Sequence, residues 1–207
     1  EFKSFVGMHP VPIVYGMTDG ELALMINGEN WNSKKCDLTI IPIKNYDHQT
    51  SYQLQVKPSP NLPNFQSVYL YPSLCLFEGT KMSIGRGTAF PFQVIGFPEY
   101  PQKDFQFTPE SIAGVSANPK FKDQVCYGLD LRSLFTNIEE KPNQLNIQWL
   151  IDFYNHYPDK EAFFIPFFEK LSGTSKLRKQ IIAGDSEESI RKSWQADLDE
   201  FKLKREN

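Results

Sequence analysis

A single carboxylate and a single arginine lie in neighbouring glycine-containing turns of residues 74–92, LCLFEGTKMSIGRGTAFPF. Glu78 precedes a glycine, and Arg86 lies between Gly85 and Gly87. A guanidinium group forms paired hydrogen bonds with carboxylates, so Arg86 can bind either Glu78 or an anionic ligand. The flanking glycines allow the backbone to approach a ligand closely and supply amide donors to an anion. These residues alone leave both a structural ion pair and a ligand site open.

Hydroxyl groups accompany the two charges in the same stretch. Side chains that can both donate to and accept from a ligand stand at Thr80, Ser83 and Thr88. A carboxylate, an arginine and hydroxyls in one pair of turns are the strongest candidate for chemistry in this sequence. If the turns form a ligand site rather than a structural ion pair, its candidate binding residues are Arg86, Gly85, Gly87, Thr88, Ser83 and Thr80.

Other kinds of site have little support. His9, His48 and His156 are scattered, without the spacing of metal ligands. SIGRG lacks the Gly-Lys-Ser/Thr ending of a phosphate-binding loop, and no G-x-S-x-G motif occurs. Three cysteines without C-x-x-C spacing favour neither a zinc site nor a disulfide framework. The net charge of −3 gives no reason to expect nucleic acid, and no apolar run approaches a membrane span of ~18 residues.

The elements that must position the turns begin with a helix. Thr18 and Glu21 form a capping box, and apolar residues at helical spacing continue from there to Gly28. Three short segments rich in β-forming side chains are predicted strands: 13–15, 37–43 and 51–56.

A proline-rich loop at 57–64 leads to residues 67–77, predicted as a strand or as a strand running into a short helix after Pro72. Further extended pieces are predicted at 91–100, 105–109 and 125–131. From residue 143 onward the apolar spacing is helical, with Gly173 as a helix end and Asp185 or Ser186 as the cap of the last helix. The layout predicts an α+β fold, with short mixed strands among helices and a helical C-terminal part.

Larger blocks of the sequence resemble a known family. They are SFVGMHPVPIVYGMTDGELALMINGE, PSPNLPN, YLYPSLCLFEGTKMSIGRGTAFPFQVIG, FFEKLSGT and IIAGDSEESIRKSW. Together they look like the family long catalogued as DUF1343, a domain of unknown function whose characterised members are exo-β-N-acetylmuramidases of bacterial cell-wall recycling. The resemblance extends from near Ser4 to near Arg205, and the FEGT, SIGRGT and PF motifs are its most specific part.

This resemblance implies a glycoside hydrolase that removes N-acetylmuramic acid from the non-reducing end of peptidoglycan-derived sugar chains. It implies no metal or organic cofactor, and a periplasmic or extracellular location, because the substrate is cell wall. Family members also carry a preceding Rossmann-like α/β half. We therefore expect residues 1–207 to form the C-terminal domain alone, inactive by itself, with the α/β half as partner and as the source of the principal catalytic carboxylate.

Within that family framework the residues receive candidate roles. Glu78 is the candidate general acid, because glycoside hydrolysis requires a proton donor to the leaving oxygen; orienting Arg86 is its alternative role. Arg86 is the candidate to bind the lactyl carboxylate that distinguishes N-acetylmuramic acid from N-acetylglucosamine. Tyr15 is a candidate sugar-binding residue, as are Tyr69 and Tyr71, with core packing as the alternative for each. The alternative function for the chain is a non-catalytic carbohydrate-binding or structural module.

Overall fold

The computed structural model describes residues 2–206, which form seven α-helices and one three-stranded sheet. The helices are α1 (Asp19–Gly28), α2 (Phe65–Leu74), α3 (Gln148–His156), α4 (Lys160–Phe163), α5 (Phe168–Ser172), α6 (Lys176–Ala183) and α7 (Glu187–Glu206). The strands are β1 (Val94–Phe97), β2 (Gln106–Phe107) and β3 (Cys126–Asp130). A 3₁₀ turn, Cys75–Gly79, directly follows α2 and is called the Glu78 turn below. Helices combined with antiparallel strands confirm the predicted α+β class.

The sheet fixes one end of the glycine-containing turns. Its strands run antiparallel in the order β1-β3-β2. Gly96 of β1 lies opposite Gly128 of β3, where a Cβ on Gly128 would stand 1.9 Å from the carbonyl oxygen of Ile95. On the free edge of β1, the backbones of Ser83 and Gly96 exchange two hydrogen bonds of 2.9 Å. The turn that carries Arg86 therefore begins from a residue bonded to the sheet.

An aromatic core lies directly behind the Glu78 turn. Phe77, within the turn, is fully buried, and its ring meets Phe153 of α3 edge-on at 5.8 Å between centroids. Phe168 of α5 lies so close to the turn that a Cβ on Gly79 would stand 2.5 Å from its Cα. Close-packed interiors resist displacement, so this packing fixes the backbone that carries Glu78.

Helix α2 replaces the strand predicted for residues 67–77, so that prediction is wrong. Asn64 caps the helix: its side-chain oxygen accepts the Ser67 amide at 2.9 Å, and the Ser67 hydroxyl accepts the Asn64 amide at 3.3 Å. Leu74 and Ser67 lie among the buried residues of the helix. The capping box and the buried face outweigh the β-preferring side chains of the segment, because propensity yields to capping and packing.

Residues 13–15, 37–43 and 51–56 contain no strand, so these three predictions are wrong. An extended backbone becomes a strand only when a neighbouring strand completes its hydrogen bonds, and residues 2–206 supply no such neighbour here. The apolar side chains consequently stay on the surface, with Ile41 86%, Ile43 73% and Val56 79% exposed. Residues 37–43 and 51–56 are called the exposed segments below.

Other predicted elements are confirmed. Thr18 caps α1 within a complete capping box, and Gly173 ends α5 in the left-handed conformation with φ +71°. The amide of Ser189 donates to the hydroxyl oxygen of Ser186 at 3.2 Å, so Ser186 rather than Asp185 caps α7. No separate helix is predicted for α6, because its apolar pattern is short. No helix among residues 2–206 is both long and apolar enough to cross a lipid bilayer.

Candidate functional site

Glu78 and Arg86 form an ion pair at the centre of the predicted site. The Nε and Nη2 atoms of Arg86 both donate to Oε1 of Glu78, at 3.0 and 2.6 Å. The Glu78 side chain is 25% exposed and the Arg86 side chain is 35% exposed, so solvent and ligands still reach the pair. Both bonds end on one carboxylate oxygen, which leaves Oε2 of Glu78 and Nη1 of Arg86 outside this pairing. The ion-pair alternative is thus realised, and the guanidinium keeps donors for a second anion.

A cavity of about 190 Å³ opens beside this pair. One wall comes from residues 78–86, and the other comes from residues 110–120, which are called the wall loop below. The cavity-lining residues of the wall loop are Ser116, Asn118, Pro119 and Lys120. Ligand pockets for whole small molecules usually measure about 300–1,000 Å³, so this cavity suits one substituent of a larger ligand.

Gly85 and Gly87 serve the turn and the close approach of the wall loop. They have φ of +78° and +83°, in the left-handed region that favours glycine. A Cβ on Gly85 would stand 2.7 Å from Cγ2 of Val94, and one on Gly87 would stand 2.4 Å from the carbonyl oxygen of Glu110. The Glu110 amide also donates to the Gly87 carbonyl at 2.8 Å, which fastens the wall loop to the Arg86 turn.

Replacing Gly87 by alanine should therefore lower the free energy of unfolding and detach the wall loop. Gly114→Ala is the matched control, because Gly114 has a similar φ of +73° but nothing within 4 Å of its Cβ position. We expect Gly87→Ala to cost about 1–3 kcal/mol more than the control, since only it adds a steric clash to backbone strain. Urea titration of both variants measures the difference, and equal losses would contradict this account of Gly87.

The predicted hydroxyls build the turns in this structure. The Thr80 hydroxyl donates to the Phe77 carbonyl at 2.8 Å, and the Thr88 hydroxyl donates to the Gly85 carbonyl at 2.6 Å. The hydroxyl oxygen of Ser83 accepts the Gly85 amide at 3.3 Å. Of these hydroxyl residues, Ser83 lines the cavity and Thr80 and Thr88 do not. Ligand binding by these hydroxyls and by the neighbouring glycine amides stays a prediction.

The structure separates the three candidate tyrosines. Tyr15 does not line the cavity, and its carbonyl accepts a hydrogen bond of 3.3 Å from Arg205 in α7. The Tyr69 hydroxyl donates to the Ile138 carbonyl at 2.6 Å, which is a packing role. The Tyr71 ring packs on Phe92, whose ring also contacts Arg86.

The Phe92 ring contacts both Tyr71 and Arg86 and so connects Tyr71 to the ion pair. The guanidinium carbon of Arg86 lies 4.9 Å from the centre of the Phe92 ring, and the Phe92 ring lies 5.0 Å from the Tyr71 ring. Tyr71 is 38% exposed, and burial, followed by the charges of Cys75 and Glu78, raises the pKa of its hydroxyl. An exposed aromatic face beside a paired arginine and carboxylate is the arrangement that suits a sugar ring carrying an acidic group.

Lys120 is a site residue that the sequence does not reveal. Its ammonium donates to three carbonyl oxygens of the Glu78 turn and its exit: Phe77 at 3.3 Å, Glu78 at 3.2 Å and Thr80 at 2.6 Å. Desolvation is the main cause that lowers the pKa of Lys120 to about 8. No motif marks this lysine, because the contact joins positions far apart in the chain and exists only after folding.

Nowhere within residues 2–206 do three or more histidine, cysteine, aspartate or glutamate side chains gather in a way that would hold a metal ion. The charged side chains that line the cavity are Glu78, Arg86 and Lys120.

Two family models match this chain. The model described as exo-beta-N-acetylmuramidase NamZ, C-terminal, matches residues 69–207, which is more than half of the sequence. The chain belongs to the NamZ family. The corresponding N-terminal NamZ model matches residues 1–66, so the boundary between the two matches falls within α2. The assignment of residues 1–207 to one C-terminal domain stays a prediction.

NamZ relatives match almost the whole chain. The peptidoglycan β-N-acetylmuramidase NamZ of Bacillus subtilis is 33% identical over 97% of this chain and 51% of its own length. A DUF1343 family protein from Bacteroides fragilis, known from a crystal structure, is 49% identical with a TM-score of 0.92, over 99% of this chain and 58% of its own. A second Bacteroides fragilis DUF1343 structure, 23% identical, shows the same fold with a TM-score of 0.77, over 98% of this chain and 58% of its own. The DUF1343 resemblance is confirmed, and the chain spans about half the length of these relatives.

Proposed function

We propose that this chain is the substrate-binding part of a peptidoglycan exo-β-N-acetylmuramidase. Such an enzyme removes N-acetylmuramic acid from the non-reducing end of peptidoglycan fragments. Membership of the NamZ family supports the proposal, as does the name of the Bacillus subtilis relative, a peptidoglycan β-N-acetylmuramidase. The partners are then peptidoglycan-derived sugar chains and the remaining part of the family's N-terminal α/β region. A cell-wall substrate places the protein in the periplasm or outside the cell.

The observation that carries the proposal is an arginine that keeps donors beside a small cavity. N-acetylmuramic acid differs from N-acetylglucosamine by a lactyl ether with a carboxylate. Arg86 spends Nε and one hydrogen of Nη2 on Glu78, and its other donors remain for that carboxylate. The volume of about 190 Å³ suits the lactyl substituent rather than the whole sugar. Tyr71 then offers an apolar face to the sugar ring.

The ion pair also suggests how substrate binding makes Glu78 available as a general acid. Both hydrogen bonds of the pair end on one oxygen of Glu78. When the lactyl carboxylate binds the donors of Arg86 that Glu78 leaves, two carboxylates share the guanidinium, the hold on Glu78 weakens, and Glu78 takes up a proton from solvent. Glu78 then acts as the general acid that protonates the leaving glycosidic oxygen. In this proposal, recognition of the correct sugar and release of the acid are one event.

Replacing Arg86 by lysine in the full-length protein tests the proposal. Lysine keeps the positive charge and loses the planar fork, so muramic substrates should bind more weakly by about one to two powers of ten, and glucosamine analogues should be unaffected. The ratio of kcat/KM for paired substrates with and without the lactyl group measures this selectivity. Arg132→Lys is the matched control, because Arg132 forms a similar pair with Asp130, at 2.6 Å, on the sheet. Unchanged selectivity in Arg86→Lys would refute the assignment of Arg86.

A further inference from the structure

We propose that Lys120 is a positioning residue, whose ammonium fixes the Glu78–Arg86 pair by binding the carbonyls at the end of the Glu78 turn. Its effect on the substrate rests on the proposed function, whereas its effect on the turn does not. The proposal assigns to Lys120 neither substrate binding nor proton transfer.

The hydrogen bonds of the ammonium show why it acts on the turn. An ammonium group has three donors, and carbonyl oxygens of the protein occupy all three, at 3.3, 3.2 and 2.6 Å. The carbonyl end of a helical turn carries partial negative charge, so a cation is favourable there, even where a carbonyl such as that of Phe77 also accepts from Thr80. One of the three is the carbonyl of Glu78 itself, so the ammonium fixes the backbone from which the carboxylate projects.

Lys120 also connects the two halves of the cavity. It belongs to the wall loop, and the other end of that loop is bonded to the Arg86 turn, where Glu110 meets Gly87. A Cβ on Gly87 would stand 2.7 Å from Cγ of Pro119, which shows how closely the wall loop packs on this turn. The wall loop therefore bridges the Glu78 turn and the Arg86 turn, and Lys120 is the only charged side chain among its cavity-lining residues in the part of the chain the structure describes.

The effect of Lys120 on the turn and its effect on the free energy of unfolding change in opposite directions with pH. Desolvation lowers the pKa of Lys120 from its ordinary 10.5 to about 8; Glu78 opposes this, and Arg86 and Lys81 add to it. Lys120 as a residue is exposed, so the desolvation falls on the ammonium that lies against the turn. As pH rises from about 8 to 10.5, the folded protein loses this proton before the unfolded chain does. The contribution of Lys120 to the free energy of unfolding therefore rises in that range, whereas the charge that strengthens its hydrogen bonds to the carbonyls is lost.

Hydrogen exchange in the full-length protein tests the proposal without a substrate. The readout is amide exchange in a peptide covering residues 75–92, where the Thr80 amide donates to Phe77 at 3.0 Å and the Phe92 amide to Ile84 at 2.7 Å. Lys120→Met should exchange about tenfold faster there at about pH 6.5, since charge-assisted hydrogen bonds are lost. Lys122→Met is the matched control, because Lys122 is an exposed lysine two positions after Lys120, with its Nζ 3.9 Å from Oδ2 of Asp123.

A pH arm distinguishes positioning from a general structural role. At about pH 9.5 the unsubstituted protein should exchange as Lys120→Met does, while Lys120→Arg, which stays charged, should remain protected. Deprotonation of Lys120 should not lower the thermal midpoint of the unsubstituted protein over the same pH range, because its contribution to stability rises there. Fast exchange in Lys120→Arg already at about pH 6.5 would show that arginine does not fit the site. In that case the test is the exchange of the unsubstituted protein at the two pH values, corrected for base catalysis.

Three results would overturn the proposal. These are equal exchange in Lys120→Met and Lys122→Met, the same corrected exchange in the unsubstituted protein at both pH values, and a Lys120→Met effect spread over the whole protein. Calorimetric binding of N-acetylmuramic acid to the unsubstituted protein is measured in parallel. Absent binding with the expected exchange results refutes the proposed function and leaves Lys120 as a positioning residue. Binding of N-acetylmuramic acid together with unchanged exchange in Lys120→Met refutes the positioning role of Lys120 and leaves the proposed function standing.

Discussion

Replacing Glu78 by glutamine in the full-length protein should lower the hydrolysis rate by about 10² to 10⁴, with substrate binding retained. Glutamine keeps the shape of the side chain and an oxygen that accepts from Arg86, but it cannot deliver a proton. The loss should shrink on aryl glycosides with acidic leaving groups, because such groups depart without protonation. Rates on natural and aryl substrates, together with the binding constant of a muramic acid product, measure the effect.

A matched control exists for this prediction. Glu169 pairs with Arg178 at 2.5 Å and is likewise part-buried, with 13% exposure, but it does not line the cavity. Glu169→Gln should therefore leave the rate unchanged apart from any loss of stability. Uniformly weaker binding of all substrates by Glu78→Gln would assign Glu78 the orienting role instead. If rate and binding both persist, Glu78 has neither role.

The second large effect is expected from the 207-residue chain on its own, which should release no muramic acid. Glycoside hydrolysis uses two carboxyl groups about 5 to 9.5 Å apart on either side of the bond. Among the described residues that line the cavity, Glu78 is the sole carboxylate. Under the proposed function, the second carboxylate is therefore expected from outside this chain, and the Bacillus subtilis relative is about twice as long as this chain.

Complementation measures this second effect. The isolated chain, the remaining N-terminal region and an equimolar mixture of both are assayed for muramic acid release beside the full-length protein. We expect turnover in the mixture and in the full-length protein only. Turnover by the isolated chain at the full-length rate would contradict the need for a second region.

The sequence predicted the centre of the site because the interactions there are local. Glu78 and Arg86 lie eight positions apart, in turns whose glycines are visible in the sequence, so an ion pair between them could be foreseen. Lys120 could not be foreseen, because it reaches the Glu78 carbonyl across 42 positions. Such a contact depends on how the wall loop folds over the turn, and no residue type or spacing near Lys120 encodes that path.

The fold shows the same division between local and distant causes. The capping box at Thr18 acts within one turn of chain, so α1 could be predicted. The capping box at Asn64 is equally local, but the aromatic and β-branched residues that follow it obscured α2. The exposed segments are the clearest failure, because their side chains favour strands, while a strand also requires a partner outside itself.

Pro42 has a consequence for how the first exposed segment behaves in a crowded solution. It separates Ile41 from Ile43, both of which are largely exposed. A short apolar run of high β-propensity is the kind of sequence that stacks into cross-β fibrils, where each chain repeats its residues directly above the last. In such a stack every layer would contain a proline, which has no amide hydrogen to give to the next layer. Pro42 thus lowers the tendency of this segment to act as a template for fibrils.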